Sequence, residues 1–507
     1  MRVFLGIDIG TTSTIGVLID AAGQTHALAS RPVELSCPHP GWAEEDPEQW
    51  WSNVCALVPE LLGQAGLAAG AVHSVGLTGM LPAVLLLDRE GKPLRPSVQQ
   101  SDSRCEEEVD TLRTEIDEAA FLARTGNGIN QQLVTAKTRW LARHEPEAWA
   151  ATTTVIGSYD YLLYRLSGEL RADRNWALEG GLLSLQTGQL DPELLALGHL
   201  RLDQVPRLSA SHELIGTISA EASRATGLSA GTPLCGGCAD HIASAYAAGI
   251  TRPGQVLLKF GGANDILLSA REARPDARVF LDYHLLPGHY MPNGCMATGG
   301  SALNWWIREH LEPWCPPDNR PEHPHALLDA EAAETEPGAD GLLVIPYFLG
   351  EKTPVHDPRT GAIVTGWSLH HRKEHFWRAL LEGYACAFRH HVEVFRAIGY
   401  PCEDFVASDG GSRSDLWLQI TADILGAPVR RLGGHPGSCL AAAWMSALAS
   451  GATDDWEGLG SFLRHGATFS PRSHFRERYD ALYLDYRGQY EALASRPATA
   501  RLDALSA

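Results

Sequence analysis

Residues 3–19 read VFLGIDIGTTSTIGVLI. The apolar runs 3–9 and 15–19 have the length of buried strands, and the turn formers of 10–14 separate them, so the chain opens on a hairpin. Gly10 lets the backbone turn tightly, and the hydroxyls and N–H groups of Thr11, Thr12 and Ser13 can then surround a phosphate, with Asp8 beside a magnesium ion. Taken alone, these residues serve equally as a plain hairpin turn. The layout recurs further on: a strand over 256–260, the turn Gly261-Gly262-Ala263-Asn264, and a strand over 265–269. Two openings on one device suggest a duplicated lobe.

Working outward, strands are expected at 74–77 and 83–87, and an amphipathic helix over 46–63 with Pro47 at its start. Strands and helices alternate to about residue 247, which predicts a mixed α/β lobe over 1–247 and a second over 248–507. The second carries expected strands at 341–346 and 405–407 and helices at 374–397 and 415–425. Residues 313–324, rich in Pro and charge, read as a surface loop.

Composition narrows the function. With 507 residues, two large domains are the prior. Lys plus Arg total 41 against 61 for Asp plus Glu, a net charge of -20, so nucleic acid would be repelled and is not an expected partner. A nucleotide is different, because backbone N–H groups bind phosphate without a basic surface. The N-terminal run carries Asp8 rather than a basic leader, and no apolar stretch approaches the roughly 20 residues of a membrane span. Ten cysteines without regular spacing fit a reduced compartment, so the expected location is cytoplasmic, with no membrane partner.

A second chemical motif is Pro233-Leu234-Cys235-Gly236-Gly237-Cys238-Ala239-Asp240, followed by a helical run over 241–248. An apolar strand breaks at two glycines and delivers one carboxylate to the mouth of a helix, whose dipole favours the ionised form. Asp240 is thus a candidate proton acceptor, although a simple helix cap is the commonest use of Asp there. Cys235 and Cys238 lack a second pair to complete a metal site, so zinc and redox roles are not expected. Adjacent side chains point apart, so the doublets His370-His371 and His390-His391 are read as hydrogen-bonded or exposed histidines. A third motif, Ser408-Asp409-Gly410-Gly411-Ser412-Arg413-Ser414, can let an adenine or ribose lie against bare backbone, or can be an ordinary turn.

In combination these motifs resemble the FGGY family of carbohydrate kinases over essentially the whole chain. The segments 38–42 and 45–51, then 137–140 with 143–146, look very like xylulokinases, and 346–354 with 366–383 approximate the family's second signature. The resemblance implies an actin-like ATPase (ribonuclease H-like) α/β fold of two lobes around a central cleft. It further implies ATP with magnesium, a small sugar or polyol acceptor, and a homodimer. Carried over, Asp240 becomes the catalytic base. Gly10, Thr11, Thr12, Ser13, Gly261, Gly262, Gly410, Gly411 and Ser412 become the ATP contacts, Gly79, Met80, Asp102 and Asp240 the sugar contacts, and Asp8 the magnesium ligand. Two departures stand out: Pro82 replaces the family's sugar-contacting His, and Gly262-Ala263 replace its usual Thr-Ser. A ketopentose is the expected acceptor. Ribulose, L-xylulose, arabinitol and erythritol are alternatives, as is a non-catalytic nucleotide-dependent sugar sensor.

Overall fold

A computed structural model describes residues 2–311, 322–434 and 437–494. The chain forms two compact units: Met1–Arg252 with Ser269–Pro292 and Gly434–Arg464, and Pro253–Leu268 with Asn293–Gly433 and His465–Ala507. The expected boundary after 247 lies close to the first division, but 269–292 and 434–464 return to the first unit. Local periodicity does not encode that return.

In the first unit, β1 (Val3–Ile9), β2 (Ser13–Asp20), β3 (Thr25–Pro32), β4 (Val72–Gly79), β5 (Leu214–Thr217) and β6 (Pro233–Cys235) lie in the order β5-β6-β4-β1-β2-β3, and β7 (Cys238–Ala239) pairs with β4. The opening hairpin forms as expected, with Ile9 opposite Thr14. Every residue of β1 is buried except the half-buried Asp8, as a central strand covered on both faces requires. Over the adjoining β2 and β3 the cover is the helix Pro47–Ala65, started by Asp46, whose side chain accepts from the Glu48 N–H. β1 and β4 are covered by the Ala-rich helix Ser438–Ala449, whose small side chains let its backbone approach the sheet at Gly6 and Gly76.

Register builds the site. In parallel pairing, Ile9 stands opposite Gly79 and Gly79 opposite Ala239. Three strands therefore end level, and Gly10, Met80 and Asp240 all leave the sheet at the same end.

The second unit repeats this plan. Strands β8 (Gln255–Phe260), β9 (Asn264–Leu268), β10 (Asp404–Ser408) and β11 (Val429–Gly433) lie in the order β9-β8-β10-β11. β8 and β9 form the second hairpin, with Phe260 opposite Asn264, and β8 pairs with β10 in parallel. The helices Lys373–Ile398 and Asp415–Leu425 match the expected spans closely. Of the loop expected at 313–324, residues 313–321 lie outside those described, and Pro324 begins the helix Pro324–Ala333. Among the described residues, no helix is long and apolar enough to cross a membrane.

Candidate active site

Asp240 is the first residue of the helix Asp240–Ala247, with Ala239 at the cap position. Its Oδ1 accepts from the His241 N–H at 2.6 Å, and the side chain is 36% exposed, open enough to meet a substrate. Beside it, the Thr11 hydroxyl donates to Met80 Sδ at 3.8 Å, so the turn after β1 touches the segment after β4. Asp8 at the end of β1 accepts from the Ser438 hydroxyl through Oδ2. Magnesium takes oxygen ligands, and the groups at this strand end are a carboxylate and the hydroxyls of Thr11, Thr12 and Ser13. That donor set suits the ion.

Asp102, expected as a sugar contact, lies inside the fold. This side chain is fully buried, and both of its oxygens are occupied. Oδ2 accepts from the Ala43 N–H at 2.6 Å and from Arg104 at 2.7 Å, while Oδ1 accepts from the Arg104 side chain at 2.9 Å. Arg104 in turn lies 3.7 Å over the Trp42 ring. Asp102 thus organises the wall at Trp42 through Arg104 and the Ala43 N–H. Nearby, the buried Lys137 ammonium donates to the carbonyls of Gln99 at 2.6 Å and Pro82 at 3.3 Å, tying the two expected sugar segments together.

A group missed by sequence reasoning adjoins Asp240. His241 Nε2 lies 3.1 Å from Asp282 Oδ2 and 3.4 Å from Glu179 Oε1, and Nδ1 lies 3.4 Å from Asp240 Oδ1. Burial works against charge on His241, but the three carboxylates outweigh it and hold the imidazole protonated well above its usual range. Burial and the neighbouring Asp282 raise Glu179 above the ordinary carboxylate range. The only hint in the sequence was a His directly after the candidate base; Glu179 and Asp282 carry no local pattern.

In the second unit, Gly261, Gly262, Gly410 and Gly411 line one cavity of about 620 Å³. Behind its wall lie Phe260 and Trp417, almost fully buried, whose rings meet edge to face at 4.8 Å. Ser412 does not line this cavity: its hydroxyl donates to the Asp409 carbonyl at 2.7 Å and closes the turn instead. The Gly262 carbonyl is braced by the Ser301 N–H at 3.0 Å and the Ser301 hydroxyl at 2.8 Å.

The remaining motifs have structural explanations. Cys235 and Cys238 are buried free thiols, and burial pushes Cys235 up to about 12, far from a reactive thiolate. His391 is buried between the Thr353 hydroxyl and the Ala387 carbonyl, each at 2.9 Å, rather than paired with His390.

Residues 3–247 match the N-terminal domain, and 266–450 the C-terminal domain, of the FGGY family of carbohydrate kinases. The chain belongs to the FGGY family of carbohydrate kinases. It is 52% identical to the xylulose kinase of Rhodospirillum rubrum, with a TM-score of 0.90 over 97% of this chain and 99% of that one. Among curated relatives, it is 29% identical to a xylulose kinase of Escherichia coli over 88% of this chain and 90% of that protein. A Bacillus subtilis xylulose kinase is 27% identical over 97% of each. As an FGGY carbohydrate kinase, the chain is an ATP-dependent phosphotransferase acting on a sugar hydroxyl, built on the two-domain actin-like ATPase fold.

Proposed function

We propose that this FGGY kinase transfers the terminal phosphoryl group of ATP to a terminal hydroxyl of D-xylulose, with Asp240 as the base. The level ending of β1, β4 and β7 carries the reading, because it sets Asp240 beside Met80 and the turn at Gly10. The 52% identity to a xylulose kinase supports the choice of ketose.

In this mechanism Asp240 accepts the acceptor-hydroxyl proton as the oxygen attacks the terminal phosphorus, and ADP leaves on the opposite side. Backbone N–H groups of the turn at 10–13 would hold phosphate oxygens where charge develops. Asp8 would hold magnesium, which, when bound, neutralises phosphate charge. The cavity at Gly410 and Trp417 would take the adenosine. Pro82 contributes no side-chain hydrogen bond, so discrimination among ketoses falls to other groups at this strand end.

A coupled ADP-release assay over ketopentoses and polyols tests the proposal. D-Xylulose should give the highest kcat/KM, and ATP consumption should require sugar. Preference for ribulose or a polyol would overturn the substrate, and sugar-independent ATP hydrolysis would favour a nucleotide-dependent sensor.

A further inference from the structure

One imidazole, at His241, faces three carboxylates from three elements: Asp240 on its own helix, Glu179 at the end of the helix Arg174–Glu179, and Asp282 on the strand Phe280–Tyr283. Each side of the ring meets carboxylate oxygen, Nδ1 at 3.4 Å and Nε2 at 3.1 and 3.4 Å. A neutral imidazole donates from one nitrogen only and would turn a lone pair toward an anion at the other; the imidazolium satisfies both sides. Asp282 is fully buried and Glu179 nearly so, which places the grip on Nε2 inside the protein while Asp240 stays accessible. Asp173, capping the helix that ends at Glu179, adds further negative charge near Asp282.

We infer that His241 is a positioning residue for the transfer: gripped at Nε2 by Asp282 and Glu179, it holds Asp240 through Nδ1 in the orientation and charge state that accept the hydroxyl proton. This rests on Asp240 being the base. A cation beside that carboxylate favours its ionised form and restricts its rotation. The 3.4 Å separation is long for a hydrogen bond, and such contacts tighten in substrate complexes.

The test uses the full chain. With 15N-labelled histidine and the H241N variant for assignment, the His241 ring should be an imidazolium up to pH 8, unchanged by EDTA. A neutral ring at pH 8, or a metal-bound signal lost on chelation, overturns the inference. In kinetics, H241N should lower kcat by about ten- to a hundredfold with little change in KM for ATP. It should also move the acid limb of kcat/KM to higher pH by about one unit, because loss of the cation raises the pKa of the base. D282N, which loosens the grip but keeps the shape, should move the limb the same way by less. An unmoved acid limb in both variants, whatever the loss of rate or melting temperature, means a structural role and overturns it. Asp240→Asn separates the two readings. If that variant turns over normally the base assignment fails, whereas an inactive Asp240→Asn beside a wild-type-like H241N defeats only the inference about His241.

Discussion

Gly6 of the first strand lies against the backbone of Cys439, 433 positions later in the chain: a Cβ at Gly6 would stand 1.9 Å from the Cys439 carbonyl oxygen and 2.8 Å from the Ala443 nitrogen. These are backbone atoms of a helix buried nearly all round, so neither can turn aside as a side-chain tip would. Gly6→Ala should therefore push the helix Ser438–Ala449 off β1 and cost about 1–3 kcal/mol, the usual range for overpacking. Thermal melting measures it, and a melting temperature within a degree of wild type would show that the helix does not bear on β1 this closely.

Asp240→Asn keeps the size of the side chain and removes its basicity. Loss of a positioned general base costs about 10²–10⁴ in rate, so kcat should fall by that range while sugar affinity, measured by calorimetry, changes little. Turnover near wild type would remove Asp240 from the mechanism.

The two glycines of the adenosine motif should behave differently. Nothing lies within 4 Å of a Cβ at Gly410, whereas one at Gly411 would meet the Trp417 ring at 2.6 Å and Phe260 at 3.0 Å. Since Gly410 lines the cavity, Gly410→Val should raise KM for ATP several-fold with the melting temperature unchanged. Gly411→Val should lower the melting temperature as well. If Gly410→Val weakens sugar binding as much as ATP binding, the cavity is not the nucleotide site.

Asp102 and Arg104 form a buried ion pair, and the Ala43 N–H also donates to Asp102. Removing one partner of a buried pair costs about 3–5 kcal/mol when the other is left uncompensated; Glu44 still lies 2.7 Å from Arg104, so the loss should fall at or below the lower end of that range. Asp102→Ala should thus show mainly as lost stability, with KM for the sugar rising only as the Trp42 wall loosens. A large rise in KM at unchanged melting temperature would restore Asp102 as a direct sugar contact.

How much of this was legible follows from the range of each interaction. The turn at 10–14, the helix started by Asp46-Pro47 and the helix Asp415–Leu425 rest on neighbours in sequence, and they appear where pattern and capping put them. The grouping of Gly261 with Gly410 was legible through motifs, each being a glycine turn after a strand. By contrast, the commitment of Asp102 to Arg104 is local in sequence but is decided by burial, which a motif does not state. The grip of Asp282 and Glu179 on His241 joins three distant segments and left no periodic trace. Ser412 shows the same limit: a hydroxyl in a glycine turn can face a ligand or close the turn, and its donation to the Asp409 carbonyl is set by geometry that the motif does not state.

His391 offers a check on the second unit that is independent of catalysis. Burial lowers its pKa to about 4, and its two ring nitrogens are occupied by the Ala387 carbonyl and the Thr353 hydroxyl. The unfolded chain binds a proton at this residue near pH 6.5, but the folded protein does not until about pH 4. A depressed histidine pKa therefore contributes stability above pH 6.5 that is lost as pH falls toward 4. Wild-type protein should melt several degrees lower at pH 5 than at pH 7.5, and His391→Gln, which cannot titrate, should flatten that slope while lowering stability at pH 7.5. Equal slopes in the two proteins would mean that His391 takes up its proton in the folded state, and that the Thr353 hydroxyl accepts from Nε2 rather than donating to it.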